Sequence, residues 1–333
     1  MPELTPLDNQ NFHHFISLLK ERGEAPEDYY RWKYLDQPSK GKPTGFIAYY
    51  EDKPVGCIGI INRQYHAADG KDYPATWFAD WFVSDQVRGK GIGEKLMKEV
   101  SKIGIYNFGI PGPVKAQQVC ENAGYFSMSG LYIDNMIYLR PFICGYLRGG
   151  GSKLKRFLRG GKNLVRSISS IRTLSVQEPA VFIIDSQLDY RALGSEYQFN
   201  RQGSRDLQKT EEFVPWIQLM PFRKTSERYW WTIKGMGFYS WGFFEKDFWG
   251  LSKAVIFEIS YHHYEEKFIS IICKTLLKHG VDIVKYVSSA GMRNVMFTYQ
   301  YPLPVYYSGP LLPSEFSISN LDKESSWREF GMN

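Results

Sequence analysis

The chain has 333 residues, 43% of them apolar and 23% charged, with a formal net charge of +6 at pH 7. That length exceeds one ordinary domain and predicts two, each with enough apolar residues for a sizeable core. No run approaches the ~18 apolar residues of a bilayer-spanning helix, and the scattered Cys57, Cys120, Cys144 and Cys273 exclude a disulfide framework or a zinc finger. The first residues lack the basic-then-apolar pattern of a signal peptide, so a cytoplasmic protein is expected. The six histidines show no H-E-x-x-H spacing, and no metal is expected.

Residues 9–22 place Phe12, Ile16 and Leu19 at helical spacing ahead of Gly23, and Pro26–Tyr34 reads as a second short helix. Phe46–Tyr50, a turn over Glu51–Pro54 and Val55–Ile61 read as a hairpin. A strand over 75–83 follows, and the only acid inside its apolar run Trp77–Val83 is Asp80. Arg88-Gly89-Lys90-Gly91-Ile92-Gly93 then leads into a helix over 91–102 with Leu96, Met97 and Val100 on one side. A strand over 103–108, a helix over 115–123 and a strand over 136–139 complete this half.

The strand, glycine-rich turn and helix start together form an anion site. About four N–H groups at a helix start lack intrahelical partners, and the dipole adds partial positive charge there. Gly91 and Gly93 remove side chains where phosphate oxygens approach the main chain, and Arg88 and Lys90 add charge at the mouth. The spacing of Gly89, Gly91 and Gly93 does not fit a dinucleotide fingerprint, and no Gly-Lys-Ser/Thr closes a Walker loop.

The run Val83 to Gly93, followed by Leu96-Met97, resembles the acetyl-CoA motif of the GNAT superfamily of N-acyltransferases. Arg88, Gly91 and Gly93 fill its Gln/Arg-x-x-Gly-x-Gly/Ala signature. Ala116, Cys120, Glu121, Ala123, Gly124 and Tyr125 are similar to the family's later segment, Ala-x-x-x-Tyr-x-x-x-Gly-Phe/Tyr, with a cysteine where the family has tyrosine. The resemblance covers about residues 40–140. It implies an α/β fold with a mixed sheet, a coenzyme A thioester (acetyl-CoA) as cosubstrate, and direct attack of an amine on that thioester. Phe82 and Val83, with Arg88 to Gly93, are its implied cofactor-binding residues, and a backbone N–H of Phe82 or Val83 stabilises the oxyanion. Asp80 is read either as the base or as a hydrogen-bonded structural acid at a strand splay. Cys120 and Tyr125 are candidates for the acid that protonates the leaving thiolate, with buried packing as the other reading of Cys120.

Residues 146–172 carry eight basic residues (Arg148, Lys153, Lys155, Arg156, Arg159, Lys162, Arg166, Arg172) and no acid. Leu154, Phe157, Leu158, Leu164, Val165 and Ile168 are interleaved at helical spacing around Gly160-Gly161. One reading is a linker helix packed on an acidic neighbour; another is a basic amphipathic segment resting on anionic lipid. Aromatic stacking residues are nearly absent from it, and no nucleic acid is expected as partner.

In the second half, Ser204–Met220 reads as a helix interrupted at Pro215. Arg228–Ile233, Gly237–Phe244 and Lys253–Tyr261 read as strands, Tyr264–Lys278 as a helix, Val281–Tyr286 as a strand and Ser288–Met296 as a short helix. This order mirrors the first half and resembles a second GNAT-like fold, as in tandem members of the superfamily. Its equivalent of the phosphate loop, Ser260–Glu266, has no glycine and two acids, so that half is expected to shape the acceptor site or pair the sheets. His262 and His263 at that junction, and His66 after the hairpin, are candidates for substrate contact. The domain plan is therefore 1–145 for acyl-CoA, 146–172 as basic linker and 173–333 for the acceptor or for structure.

The segment Trp32-Lys33-Tyr34-Leu35-Asp36-Gln37-Pro38 resembles a pattern in GNAT proteins of bacterial surface polysaccharides. With the 16% aromatic content, it makes an amino sugar the leading amine acceptor. The alternatives are an aminoacyl-tRNA-dependent peptidyl transferase and a non-catalytic protein that binds acyl-CoA or a membrane surface.

Overall fold

The computed structural model describes the chain except residues 1, 22, 24–25, 40, 67–70, 129–131, 149–150, 172–179, 186–204, 207–211, 222–229, 236–237, 247–249, 262–264, 290–297, 303–304, 310–315 and 318–333. In chain order the first half contains β1 (Glu3–Pro6), α1 (Phe12–Lys20), α2 (Glu27–Tyr34), β2 (Gly45–Tyr50), β3 (Lys53–His66) and β4 (Asp72–Val83). It continues with α3 (Ile92–Val100), β5 (Tyr106–Gly109), α4 (Val114–Asn122), β6 (Phe126–Ser127), β7 (Tyr132–Tyr138), α5 (Pro141–Leu147) and α6 (Lys153–Ile171). The second half contains β8 (Ala180–Asp185), β9 (Arg205–Asp206), α7 (Phe213–Gln218), β10 (Trp230–Gly235), β11 (Phe238–Lys246) and β12 (Ser252–Tyr261). After these come α8 (Glu265–Lys278), β13 (Ile283–Ser289), β14 (Thr298–Pro302), β15 (Tyr306–Ser308) and β16 (Phe316–Ser317).

Two seven-stranded sheets result, ordered β1-β2-β3-β4-β5-β15-β6 and β8-β10-β11-β12-β13-β7-β14. They repeat position by position. Each has four antiparallel strands, then a parallel neighbour (β5 beside β4, β13 beside β12). Next in each comes a strand from the other end of the chain: β15 lies between β5 and β6, and β7 between β13 and β14. Both sheets are mixed, as the α/β reading requires, and the second repeats the strand arrangement of the first.

Most elements lie where periodicity placed them, and the differences have physical reasons. Of the helix expected over Ser204–Met220, the described residues form α7, while residues 205–206 form β9 against β16. Pro215 lies in the first turn of α7, where its missing N–H interrupts no intrahelical bond. The Met136–Leu139 strand is β7, and it joins the second sheet rather than closing the first. Residues 288–289, expected to open a helix, end β13, and most of that expected helix lies outside the described residues. The Glu51–Asp52 turn is the two-residue kind that hairpins favour, with both residues at positive φ.

Among the described residues, the three largest apolar cores hold the layers. Ile58, Ile60, Phe78, Leu96, Met97 and Cys120 pack α3 and α4 on one face of the first sheet. Ile256, Ile269, Ile272, Leu276 and Val284 pack α8 on the second sheet. The largest core lies on the α1–α2 face of the first sheet and runs on to Trp230, Phe243 and Phe257 of the second. At its centre Trp32 of α2 and Trp216 of α7 stack, with ring centroids 4.6 Å apart. Each indole N–H donates to the other residue's carbonyl, Trp32 Nε1 at 2.7 Å and Trp216 Nε1 at 2.9 Å. A contact that is its own mirror marks a pseudo-twofold relation between the halves, by the logic that makes a symmetric dimer interface isologous.

Candidate active site

The site begins where the first sheet splits. β4 pairs with β5 only over Ala75–Phe78, against Tyr106–Gly109, and then continues to Val83. Ala75 to Asp80 are buried, whereas Trp81, Phe82 and Val83 are half-buried beside the opening.

A bulge lies at the start of the split. Phe82 faces Cys57 and Ala79 faces Gly59, so Asp80 and Trp81 share one position of β3. Asp80 takes φ of +49°, a left-handed conformation that aspartate tolerates better than most residues. Its buried carboxylate accepts from Lys33 Nζ at 2.6 Å and from Tyr34 Oη at 2.5 Å, both on α2. Lys33 is completely buried, and burial lowers its pKa against the opposing pull of Asp80. Burial, reinforced by the Asp80 carboxylate, raises Tyr34 well above an ordinary phenol. A Cβ on Gly59 would lie 2.1 Å from the Tyr34 ring, so glycine there admits the phenol. Gln37 donates to the carbonyls of Lys33 and Ile60 and accepts the Asn62 N–H, tying the end of α2 to β3.

The clamp has a consequence for the ladder. Ser84 N–H donates to Val55 O at 2.8 Å, which makes Ser84–Val55 a hydrogen-bonded pair. Bonded and non-bonded pairs alternate along an antiparallel ladder, so Phe82 points its N–H at β3 and Val83 points its N–H into the split. Of Phe82 and Val83, it is Val83 whose N–H faces the split.

From Val83 the chain passes through a single 3-10 turn (Asp85–Val87) into the loop. Gly89 and Gly91 have φ of +82° and +72°, and an added Cβ at either would meet nothing within 4 Å. Backbone conformation is what calls for glycine there, and the open space above is available to phosphate. Gly93 has a different reason, since a Cβ would come 2.9 Å from the Trp81 indole. Ile92, Gly93 and Glu94 open α3, so their N–H groups fall in the turn without intrahelical acceptors. The exposed Arg88 guanidinium is paired with Asp85, and Lys90 Nζ lies 3.8 Å from the centre of the Tyr50 ring. Cationic side chains, left-handed glycines and a free helix start fit a coenzyme A pyrophosphate.

The remaining sequence candidates are elsewhere. Cys120 is enclosed in the core beneath α3 and α4, and burial pushes its thiol up to about 12. Tyr125 is buried in the same core, edge-on to Phe78, with its hydroxyl on Met97 O at 3.4 Å. Burial raises its pKa further. Both side chains belong to the core that packs α3 and α4 on the first sheet. Asp80 is hydrogen-bonded to Lys33 and Tyr34 on α2. His66 ends β3, while His262 and His263 lie outside the described residues. Among the described residues no group of three His, Cys, Asp or Glu side chains converges on a metal position. Sequence reasoning missed Lys33 as a partner of Asp80. It also missed β15, which places Tyr306 and Tyr307 beside β5. Tyr307 lies 5.8 Å from the largely exposed Phe126 ring, forming an aromatic ledge at the β15–β6 edge of the sheet.

Residues 9–109 match the acetyltransferase (GNAT) family. Among solved structures, a GCN5-related N-acetyltransferase from Anabaena variabilis superposes with a TM-score of 0.60 at 15% identity, covering 92% of this chain and 72% of that one. A probable N-acyltransferase from Enterococcus faecalis gives 0.60 at 9% identity with the same coverages. Saccharomyces cerevisiae N-myristoyltransferase with bound myristoyl-CoA gives 0.55 at 11% identity, covering 97% of this chain and 83% of that one. No curated protein matches the sequence. The likenesses share the fold, and the family match makes the N-terminal domain an acetyltransferase domain that works with a coenzyme A thioester.

Proposed function

Given a GNAT acetyltransferase domain over residues 9–109, we propose that this protein moves an acetyl or short acyl group from coenzyme A to the amine of an amino sugar, in the assembly of a surface polysaccharide. The observation that carries the transfer chemistry is the Val83 N–H aimed into the split, one strand-end away from the loop of left-handed glycines. The bound thioester supplies the electrophilic carbonyl. Val83 N–H donates to its oxygen as negative charge develops, a contact that is stronger in the transition state than before it. Asp80 acts on the backbone: held by Lys33 and Tyr34, it fixes the bulge that sets the direction of Val83. Arg88, Lys90 and the α3 N–H groups hold the pyrophosphate.

The acceptor assignment draws on the resemblance of Trp32–Pro38 and on the ledge of Phe126 and Tyr307, where a sugar ring would stack. Trp32 and Tyr34 themselves are buried in clamp and core. Melting with acetyl-CoA, followed by thiol release with a panel of amines, tests the reading. Saturating acetyl-CoA raises Tm by mass action, and amino sugars, free or nucleotide-linked, release thiol. Absence of protection sinks the donor assignment and favours the aminoacyl-tRNA alternative. Release with peptide amines or polyamines alone sinks the acceptor.

A further inference from the structure

A helix on a protein surface ordinarily turns its apolar stripe inward. α6 does the reverse. It packs on α5 mainly through small and polar residues: a Cβ on Gly145 would lie 2.5 Å from Asn163 Nδ2, and one on Gly160 would lie 2.9 Å from Phe142 O. Of the stripe, Phe157 meets α5 edge-on at the Phe142 ring, with centroids 5.6 Å apart. Asn163 and Gly160 are buried in that crossing. The apolar residues at i, i+3, i+4 and i+11 (Leu154, Phe157, Leu158 and Val165) are then 59% to 69% exposed, and Leu164 beside them is 42% exposed. Among the described residues this stripe is left largely uncovered.

Charge completes the pattern. Lys155, Arg159 and Lys162 occupy the third sector of the helix, between the stripe and the α5 contact, with Lys153 beside the opposite edge of the stripe. Residues 146–172 contain no acid. The mooring beneath is firm: Arg148 on α5's C-terminal end donates to Tyr138 Oη at 2.8 Å, and Cys144 Sγ donates to Asp282 O at 3.5 Å, tying α5 to β7 and to the strands beside it. The helix is therefore carried as a rigid ridge with an apolar crest and a cationic flank. No helix among the described residues is long and apolar enough to cross a membrane.

We infer that α6 docks this protein on an anionic lipid surface, with Leu154, Phe157, Leu158 and Val165 entering the headgroup–acyl boundary and Lys155, Arg159 and Lys162 facing the anionic headgroups. An apolar crest alone would suit a second copy of the chain. Uniform positive charge beside the crest opposes like-to-like pairing and favours anionic headgroups. Substrates drawn from that surface, such as a lipid-linked acceptor, would then meet the enzyme at high local concentration.

Flotation of the full chain with vesicles tests this. The protein should float with equimolar phosphatidylcholine and phosphatidylglycerol, stay behind with phosphatidylcholine alone, and be released by added salt. Lys155→Gln with Arg159→Gln and Lys162→Gln should weaken binding about a hundred-fold, at roughly five-fold per cation near the surface. Phe157→Glu with Leu158→Glu should abolish it. Acetyl-CoA protection, measured on every variant, shows that each is folded and reports separately on the acyl-transfer reading. No flotation, equal flotation on both vesicles, or concentration-dependent dimers that disappear in Phe157→Glu would each overturn the inference.

Discussion

The β4–α3 and β12–α8 junctions are the same construction with different endings. Both strands pair with a parallel neighbour for a few residues and then run on, and both carry a one-residue irregularity just beyond, at Asp80–Trp81 and at Phe257. In the first half residues 84–91 then spread into a turn with two left-handed glycines, and the helix opens with Gly93 near its start. In the second, only residues 262–264 separate strand from helix, and the helix opens on Glu265 and Glu266. The split strand is thus a property of the fold, while anion binding belongs to one loop. Two acids in the sequence at a helix start disfavour a phosphate there.

The largest effect that would sharpen this contrast is at the bulge. Asp80→Ala leaves Lys33 in the core without its counter-charge and should cost about 3–5 kcal/mol in urea unfolding, most of it recovered by adding Lys33→Met. If Asp80→Asn instead abolished turnover with stability unchanged, the carboxylate would be the base and the positioning role would be lost. The reciprocal pair at the pseudo-twofold centre comes next. Trp32→Ala and Trp216→Ala should each cost about 3–5 kcal/mol, and the double variant clearly less than the sum; strict additivity would mean the stack carries no coupling.

Gly91→Val should remove acetyl-CoA protection, worth about 2.7 kcal/mol at a hundred-fold excess over Kd. Glu265→Gln with Glu266→Gln should leave protection intact; any loss there would bring the second junction into the donor site. The smallest effect concerns Cys120. Its thiol moves from the ordinary 9.0 up to about 12 in the folded chain. The unfolded chain therefore gives up that proton first as pH rises. Stability contributed by the protonated thiol is complete below pH 9 and is lost between 9 and about 12. Melting curves across that window should be flatter in Cys120→Ala, with thiol release at neutral pH unchanged; loss of turnover would reinstate the thiol as an acid.

What the chain reveals by itself divides along sequence separation. The phosphate loop was legible because its chemistry is local: glycine spacing, flanking cations and a helix start lie within a dozen residues. α2, the hairpin, α3 and α8 were legible from periodicity. The Asp80 clamp was visible only as an acid in an apolar run, because its lysine lies 47 residues upstream and nothing local links them. The direction of the Val83 N–H depends on ladder register, which no composition encodes. Cys120 and Tyr125 matched a family pattern in spacing, yet their surroundings, which decide protonation, come from packing. The Trp32–Pro38 motif gains a physical meaning: its tryptophan joins the halves, its lysine and tyrosine hold the bulge, and its glutamine ties helix to strand.

The exchanged strands set a timetable. The sheet that carries the donor loop stays open between β5 and β6 until Tyr306–Ser308 arrive. A chain under synthesis, growing at about 5–20 residues per second, therefore spends most of that time with its first sheet interrupted. Folding of the loop-bearing half waits on residues 306–308, so a chain ended before them would hold every donor-loop residue and still lack a finished sheet to mount them on.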